Sequence, residues 1–207
     1  MNYLLLAVSL LLASCKDQQQ NSNDNVLTDS LVTKPNPYVI ADQSPMDMSY
    51  FPADYPLKMM EGKSAGTLSA RVIYSRPHKK RRQIFGDTDS SLCRYGIEWR
   101  LGANEATEID FFRDVYINKT KIAAGEYIIY CIPFEDKWTI VLNTKLHTWG
   151  LHMDPTKDIF RTDVKLQYQN PSLEDFTMVF LPATYGTDLL MSWDNVKVLL
   201  PVHFTPQ

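Results

Sequence analysis

Short apolar runs with a two-residue period dominate the chain from about residue 67 onward. They cover 68–74, 108–111, 127–132, 138–142, 160–168, 176–181, 189–193 and 196–204. Gly, Pro, Asn or Asp separate these runs, and none of them has the 3.6-residue period of an amphipathic helix. Alternate side chains of a strand lie on opposite faces of a sheet. The pattern therefore predicts an all-β domain over 67–207, an antiparallel, jelly-roll-like β-sandwich with little helix.

Three details follow from the same runs. Residues 127–132 and 138–142 flank the turn-like segment 133–137, which predicts a hairpin. Trp138 and Trp193 lie within strand patterns and are expected in the core. Pro201 has no amide N–H to donate to a ladder, so the last run is expected at a sheet edge.

The first fifteen residues resemble the signal peptide of a bacterial lipoprotein. An apolar run over 3–12 ends in Leu12-Ala13-Ser14-Cys15, which resembles a lipobox, whose cysteine carries the lipid. About ten apolar residues match a secretory signal and are too few for a membrane-spanning helix. We expect a signal peptide at 1–14, lipidation at Cys15, and anchoring to the outer membrane in the cell envelope, facing the periplasm or the surface. A buried N-terminal segment with a chance cysteine is the alternative.

Two segments of different composition separate Cys15 from the strand-rich region. Residues 16–44 are rich in Gln, Asn and Pro and have no sustained period, so 15–44 is expected to be a flexible, lipid-anchored tether. Residues 45–66 contain Met46, Met48, Met59 and Met60 beside aromatic residues. This segment is expected to pack on the sandwich as an N-terminal strap, with thioether binding of Cu(I) as the alternative.

Composition limits the partners and cofactors. The chain has 21 Lys and Arg against 24 Asp and Glu, a formal net charge of −3. Nucleic-acid-binding domains usually have a strongly basic face, so nucleic acid is not an expected partner. There is no Gly-rich nucleotide loop and no Gly-x-Ser-x-Gly elbow, and no cofactor is expected. The sequence leaves open whether Cys93 and Cys131 form a disulfide.

A series of short motifs follows in order between residues 70 and 204. They are Tyr74-Ser75-Arg76-Pro77, Ile84-Phe85-Gly86, Tyr95-Gly96, Trp99 to Thr107, Ala124-Gly125-Glu126-Tyr127, Ile132-Pro133, Trp138 to Asn143 and Trp149-Gly150. Together they resemble an uncharacterised envelope family, the domain of unknown function twenty-nine eleven. The resemblance implies a mostly β domain without an established activity. Where that family carries a Gly-Gly hairpin turn, this chain has Asn118-Lys119.

Four polar residues near predicted strand ends form the main candidate site. Arg76 and Arg100 can bind a carboxylate, phosphate or sulfate through paired hydrogen bonds. Asn104 offers a donor and an acceptor, and Glu105 can orient an arginine or act as a base. The alternatives are a structural Arg–Glu network that holds a loop, a ligand-binding site, and the active site of an enzyme for a small anionic or glycan substrate.

Three weaker candidates complete the set. The basic run Arg76–Arg82 is either a solvated loop or a site for a phosphorylated lipid headgroup or an anionic glycan. His147 and His152 share a loop, but their spacing fits no metal motif, so they are only weak metal candidates. Trp149, next to Gly150 in a loop, is the aromatic candidate for stacking on a sugar. The sequence thus favours a lipid-anchored, non-catalytic binding or assembly module, with an enzyme and a periplasmic metal-handling protein as alternatives.

Overall fold

The computed structural model describes residues 37–207. The chain divides into two compact units, Met1–Ile40 and Ala41–Gln207. Residues 37–40 are exposed and irregular, and the second unit contains all helices and strands of the described part. The expected signal peptide at 1–14, the lipidation site Cys15 and most of the expected tether lie outside the described residues. Within 37–207 no helix combines the length and the apolar character needed to cross a bilayer.

Twelve strands and two short helices form the second unit. In chain order they are β1 (Met46–Phe51), α1 (Tyr55–Met60), β2 (Ala70–Ser75), β3 (Phe85–Gly86), β4 (Cys93–Arg94), β5 (Glu108–Phe111), β6 (Val115–Ile117), β7 (Thr120–Ile122), β8 (Gly125–Pro133), β9 (Lys137–Asn143), a 3₁₀-helix (Pro155–Lys157), β10 (Asp158–Lys165), β11 (Gln167–Ala183) and β12 (Gly186–His203). One sheet has the order β1-β2-β5-β8-β9-β10 and a second has β11-β12-β6-β7. All strand pairs in these two sheets are antiparallel. The predicted antiparallel sandwich with little helix is confirmed.

The core lies between the inner faces of these two sheets. On β2 the alternate residues Ala70, Val72 and Tyr74 are buried, as the two-residue period predicts. Trp99 stacks on Trp193 with ring centroids 5.8 Å apart and meets Trp138 edge to face at 5.7 Å. Trp138 and Trp193 are in the core, as expected. Such aromatic contacts stabilise a core beyond simple area burial.

Both hairpin turns named from the sequence are present. β8 and β9 pair from Ile128↔Asn143 to Pro133↔Trp138, and this hairpin is confirmed. β6 and β7 are joined by Asn118 and Lys119, whose φ angles of 46° and 63° are both left-handed. Two consecutive positive φ angles match the twist of a tight hairpin, a conformation that glycine adopts most readily.

β1 and β12 take positions in the sheets that the sequence did not predict. Within the expected strap 45–66, residues 46–51 form the edge strand β1, which pairs with β2 from Met46↔Ser75 to Phe51↔Ala70. The strand with Pro201 was expected at a sheet edge, and this is wrong, because β12 lies between β11 and β6. β12 pairs with β11 only over residues 186–197. Pro201 lies beyond that ladder and therefore interrupts none of its hydrogen bonds.

Candidate functional site

The loop that precedes β5, residues 99–107, holds three of the four main candidates. Its start is fastened to β8, because Trp99 and Cys131 exchange backbone hydrogen bonds of 2.8 and 2.9 Å. Its middle is fastened to the end of β2 by a 3.2 Å bond from Ala103 N–H to the carbonyl oxygen of Ser75. Gly102 allows this approach, since a Cβ atom there would lie 2.8 Å from the Ser75 oxygen. Arg100 is therefore held in a fixed position.

Arg76, the fourth candidate, is already paired. Its guanidinium donates to Oδ2 of Asp47 on the neighbouring strand β1, and the Tyr74 hydroxyl donates to the same oxygen at 2.9 Å. Burial alone would raise the pKa of Asp47, but hydrogen bonds from Arg76, Tyr74 and the Met48 N–H outweigh it and lower that pKa. Arg76 thus joins β1 to β2 as part of a structural ion pair.

The side chains of Asn104 and Glu105 lie in different parts of the structure. The Asn104 amide donates to Asp42 Oδ2 at 2.7 Å and to the Ser44 carbonyl at 3.4 Å. Glu105 is exposed and lines a small cavity of about 140 Å³ together with Met46 and Glu108. The four predicted site residues therefore do not converge on one ligand position.

Arg100 lines a separate pocket of about 270 Å³. The pocket is lined by Ser44, Pro77, Arg82, Leu92, Cys93, Trp99, Arg100, Gly102, Ala103 and Trp193. Among the described residues, no acceptor lies within hydrogen-bond distance of the buried Nε of Arg100, and the lining contains no Asp or Glu. Burial lowers the pKa of Arg100, yet an arginine keeps its charge in proteins. The described lining therefore holds a cation and no carboxylate, and Glu105, which lines a different cavity, acts on Arg100 through its charge.

Arg82 contributes a second cation to the same lining. Its Nε donates to the Lys79 carbonyl at 3.1 Å and its Nη2 donates to the His78 carbonyl, so this guanidinium also faces no carboxylate. Burial raises the pKa of the Cys93 thiol, while the positive fields of Arg100 and Arg82 act in the opposite direction. The positive charges of both guanidinium groups thus act on Cys93, which lines the pocket. The stacked rings of Trp99 and Trp193 line the same pocket.

Part of the basic run Arg76–Arg82 is paired with carboxylates of β11 and β12. His78 contacts the carboxylate of Asp175, and Lys79 Nζ lies 2.5 Å from Asp194 Oδ1. Together with the Arg76 pair, these contacts bind the run to the sandwich. Arg82 is the member of this run that lines the pocket at Arg100.

The loop after β9 separates the two predicted histidines. His147 Nδ1 lies 3.7 Å from Glu108 Oε1, and the donor atoms of His147, Glu108 and Glu126 all lie within 4.8 Å of one another. His152 is exposed and is not part of this group, so the structure brings only one of the two weak metal candidates to it. Trp149 is 52% exposed and does not line the pocket at Arg100.

Glu108 and Glu126 are not among the residues predicted from the sequence, because they lie on different strands. In the register of β5 and β8, Glu108 is opposite Ile128 and Asp110 is opposite Glu126. Glu108 and Glu126 are therefore diagonal neighbours on the outer face of the six-stranded sheet. Burial raises the pKa of Glu108, and the nearby charge of Glu126 raises it further. The strand register is the signal that would have found them.

Cys93 and Cys131 are both buried and both free. The question that the sequence left open is answered by this structure, which contains no disulfide between them. Burial raises the pKa of the Cys131 thiol well above its ordinary value, and the nearby Cys93 adds to that effect. Neither thiol is expected to be reactive in the folded protein.

Comparison with known sequences places this domain in a family. The sequence model of a family described as protein of unknown function, DUF2911, matches residues 56–202, which is more than half of the chain. No curated protein and no solved structure matches the chain. The match includes the loop of Arg100 and nearly the whole sandwich. The chain therefore belongs to the DUF2911 family.

Proposed function

We propose that this protein is a lipid-anchored binding module of the cell envelope, and that its sandwich binds a small anionic ligand at Arg100. One observation carries the proposal: Arg100 lines the pocket, and its buried Nε has no acceptor among the described residues. A buried donor without a partner costs about 1–3 kcal/mol. An oxygen of a bound anion supplies the missing acceptor and balances the charge.

The lining of the pocket indicates the chemistry of the ligand. Guanidinium groups bind carboxylate, phosphate and sulfate through paired hydrogen bonds, and Arg100 and Arg82 both line the pocket. A volume of about 270 Å³ lies just below the usual range for drug-sized ligands and limits the ligand to a smaller molecule. Leu92, Trp99 and Trp193 offer apolar surface to the rest of the ligand.

The arrangement favours binding over catalysis. General acid–base chemistry needs a titratable group within hydrogen-bond reach of the reacting atoms. The described lining contains no His, Asp or Glu, and its one thiol, Cys93, is buried with a raised pKa. Glu105, the predicted base, lines a different cavity from Arg100.

The envelope location rests on residues 1–15. The apolar run and the lipobox-like Leu12-Ala13-Ser14-Cys15 support export and lipidation. The test is palmitate labelling of the full chain in a bacterial host that processes lipoproteins, with Cys15→Ala as the variant. We expect label on the wild type and none on the variant. A full-length wild-type chain with a free Cys15 thiol and its leader attached would overturn the location.

The ligand proposal is tested by calorimetric titration of the full chain in detergent with inorganic phosphate, sulfate and acetate at constant ionic strength. Arg100→Met removes the guanidinium and keeps the length of the side chain. Arg113→Met is the matched control, because Arg113 contacts Phe204 and does not line the pocket.

We expect saturable binding of at least one of the three anions, lost in Arg100→Met and kept in Arg113→Met. Binding that is absent for all three anions in the wild type, or equally strong in Arg100→Met, would overturn the proposal. Weak binding that disappears with added salt in all three proteins alike would also overturn it, because it would report only surface charge.

A further inference from the structure

We infer that Glu108, Glu126 and His147 form a binding site for a divalent transition-metal cation on the outer face of the six-stranded sheet. This site is separate from the pocket at Arg100, and none of its residues lines that pocket. Its donors are two carboxylates and one imidazole, contributed by β5, β8 and the loop after β9.

The geometry brings the three donors to one place. The antiparallel register of β5 and β8 sets Glu108 and Glu126 as diagonal neighbours, whose side chains stand on the same face. His147 extends over them from the loop, with its Nδ1 3.7 Å from Glu108 Oε1. Because all donor atoms lie within 4.8 Å of one another, a single cation can contact one atom of each residue.

The loop that carries His147 is held against the sheet. The backbone N–H of Ala106 donates to the Thr148 carbonyl at 3.1 Å, one residue after His147. Gly150 then packs closely on Ala106 and Arg100, where a Cβ atom would lie 2.8 Å from the Ala106 Cβ. These contacts hold the backbone next to His147 against the sheet, which limits the positions that its imidazole can reach beside Glu108.

The charges around the site are unbalanced. Asp110, the neighbouring carboxylate, is paired with Arg71 at 2.6 Å. Glu108 and Glu126 have no Lys or Arg partner within the part of the chain that the structure describes. Two carboxylates are thus held side by side, and His147 is the one basic side chain within 4 Å of Glu108 among the described residues. A bound cation removes their mutual repulsion.

The donor set selects the class of metal. Ca²⁺ prefers six to eight oxygen ligands, and Mg²⁺ is usually held by oxygen atoms and water. Imidazole together with carboxylates suits Zn²⁺, Mn²⁺, Co²⁺ and similar ions. Three protein ligands leave coordination positions for water, and a cavity of about 140 Å³ lined by Glu108 adjoins the site. The site can therefore bind a further ligand on the metal.

The experiment is a calorimetric titration of the full chain in detergent with Zn²⁺ and, separately, with Mg²⁺. Glu126→Gln and His147→Gln each remove one donor from an exposed position and keep the size of the side chain. His152→Gln is the matched control, because His152 lies in the same loop and outside the cluster. The urea midpoint of each variant verifies that it is folded.

We expect the wild type to bind one Zn²⁺ per chain in preference to Mg²⁺. Loss of either donor weakens Zn²⁺ binding by more than ~10-fold, and His152→Gln leaves it unchanged. Absent Zn²⁺ binding, or binding reduced as much by His152→Gln as by His147→Gln, would overturn the inference. Phosphate titration of the same variants separates this result from the proposal for Arg100, because none of these substitutions touches that pocket.

Discussion

The guanidinium of Arg76 is paired with the carboxylate of Asp47 across the first two strands of the six-stranded sheet. Because of this pair, Arg76 does not share a site with the other predicted residues, which are Arg100, Asn104 and Glu105. Arg76 stabilises the attachment of the edge strand β1 through Asp47, whereas Arg100 lines a pocket and has no ion pair among the described residues. The Nε atoms of both arginines are buried without an acceptor in this part of the chain. The two arginines therefore have different roles, one structural and one available to a ligand.

The Asp47 pair predicts a measurable contribution to stability. Asp47→Asn removes the charge that Arg76 and Tyr74 contact and should lower the free energy of unfolding at pH 7 by about 1 kcal/mol. Urea unfolding measures this loss. Asp89→Asn is the control, because the pair of Asp89 with Arg94 is exposed and should change stability very little. Equal effects of the two substitutions would contradict a structural role for Asp47.

The same pair predicts a pH dependence. Its hydrogen bonds keep the pKa of Asp47 below its ordinary value of 3.8 in the folded chain. A depressed folded pKa gives stability that is present above the unfolded pKa and is lost as the pH falls through the folded pKa. The difference between the wild type and Asp47→Asn should therefore be constant near neutral pH and shrink below about pH 4. A difference that grows on acidification would contradict this account.

Arg100→Met should leave the ligand-free protein as stable as the wild type or slightly more stable. The substitution removes a buried donor that has no acceptor in the described structure, and it keeps the aliphatic contacts of the side chain. Urea unfolding in a buffer free of phosphate and sulfate is the measurement. A loss of more than about 2 kcal/mol would assign Arg100 to a structural network.

Gly150→Ala should destabilise the loop after β9. Gly150 has φ +71°, and an added Cβ would lie 2.8 Å from Ala106 Cβ and 3.1 Å from Arg100 Cβ. Gly66→Ala is a matched control, since Gly66 has φ +70° and open space around the added atom. Both variants carry the left-handed penalty of about 1–2 kcal/mol, and only Gly150→Ala adds the clash. Urea unfolding should show the larger loss for Gly150→Ala, and equal losses would mean that the loop is not packed there.

The two buried thiols should not react with alkylating reagents in the folded chain. Burial raises the pKa of Cys93 and Cys131, which suppresses the reactive thiolate. Mass spectrometry after iodoacetamide treatment should show neither residue modified at pH 8, and both modified in urea without any reductant. A requirement for reductant would show that they form a disulfide.

The fold was predictable from the sequence because strand alternation is a local signal. Val72 and Trp138 are buried at the positions that the two-residue period assigns to the core. The role of β1 was not predictable, because its partner β2 is separated from it by α1 and a long loop. Pro201 fits within an inner strand because the pairing of β12 with β11 ends at Lys197. The extent of that pairing is set by the tertiary structure.

The candidate site was predictable only in part. The arginines near strand ends were visible in the sequence, but the choice between Arg76 and Arg100 depended on Asp47, which lies on another strand. Glu108 and Glu126 meet only through the register of β5 and β8. His147 and His152 are close in sequence, but only His147 is grouped with Glu108 and Glu126. Side-chain partners of this kind are set by strand pairing, which a single sequence does not reveal.

The most direct test of the account is the ¹⁵N-resolved spectrum of the arginine Nε–H groups during a phosphate titration of the full chain. Arg71, whose Nε donates to Asp110 at 2.6 Å, is the internal reference. The account predicts that the Arg100 Nε–H resonance shifts saturably as an acceptor arrives, while that of Arg71 stays in place. An Arg100 resonance that does not move, or one that moves only in parallel with all exposed arginines, would contradict it.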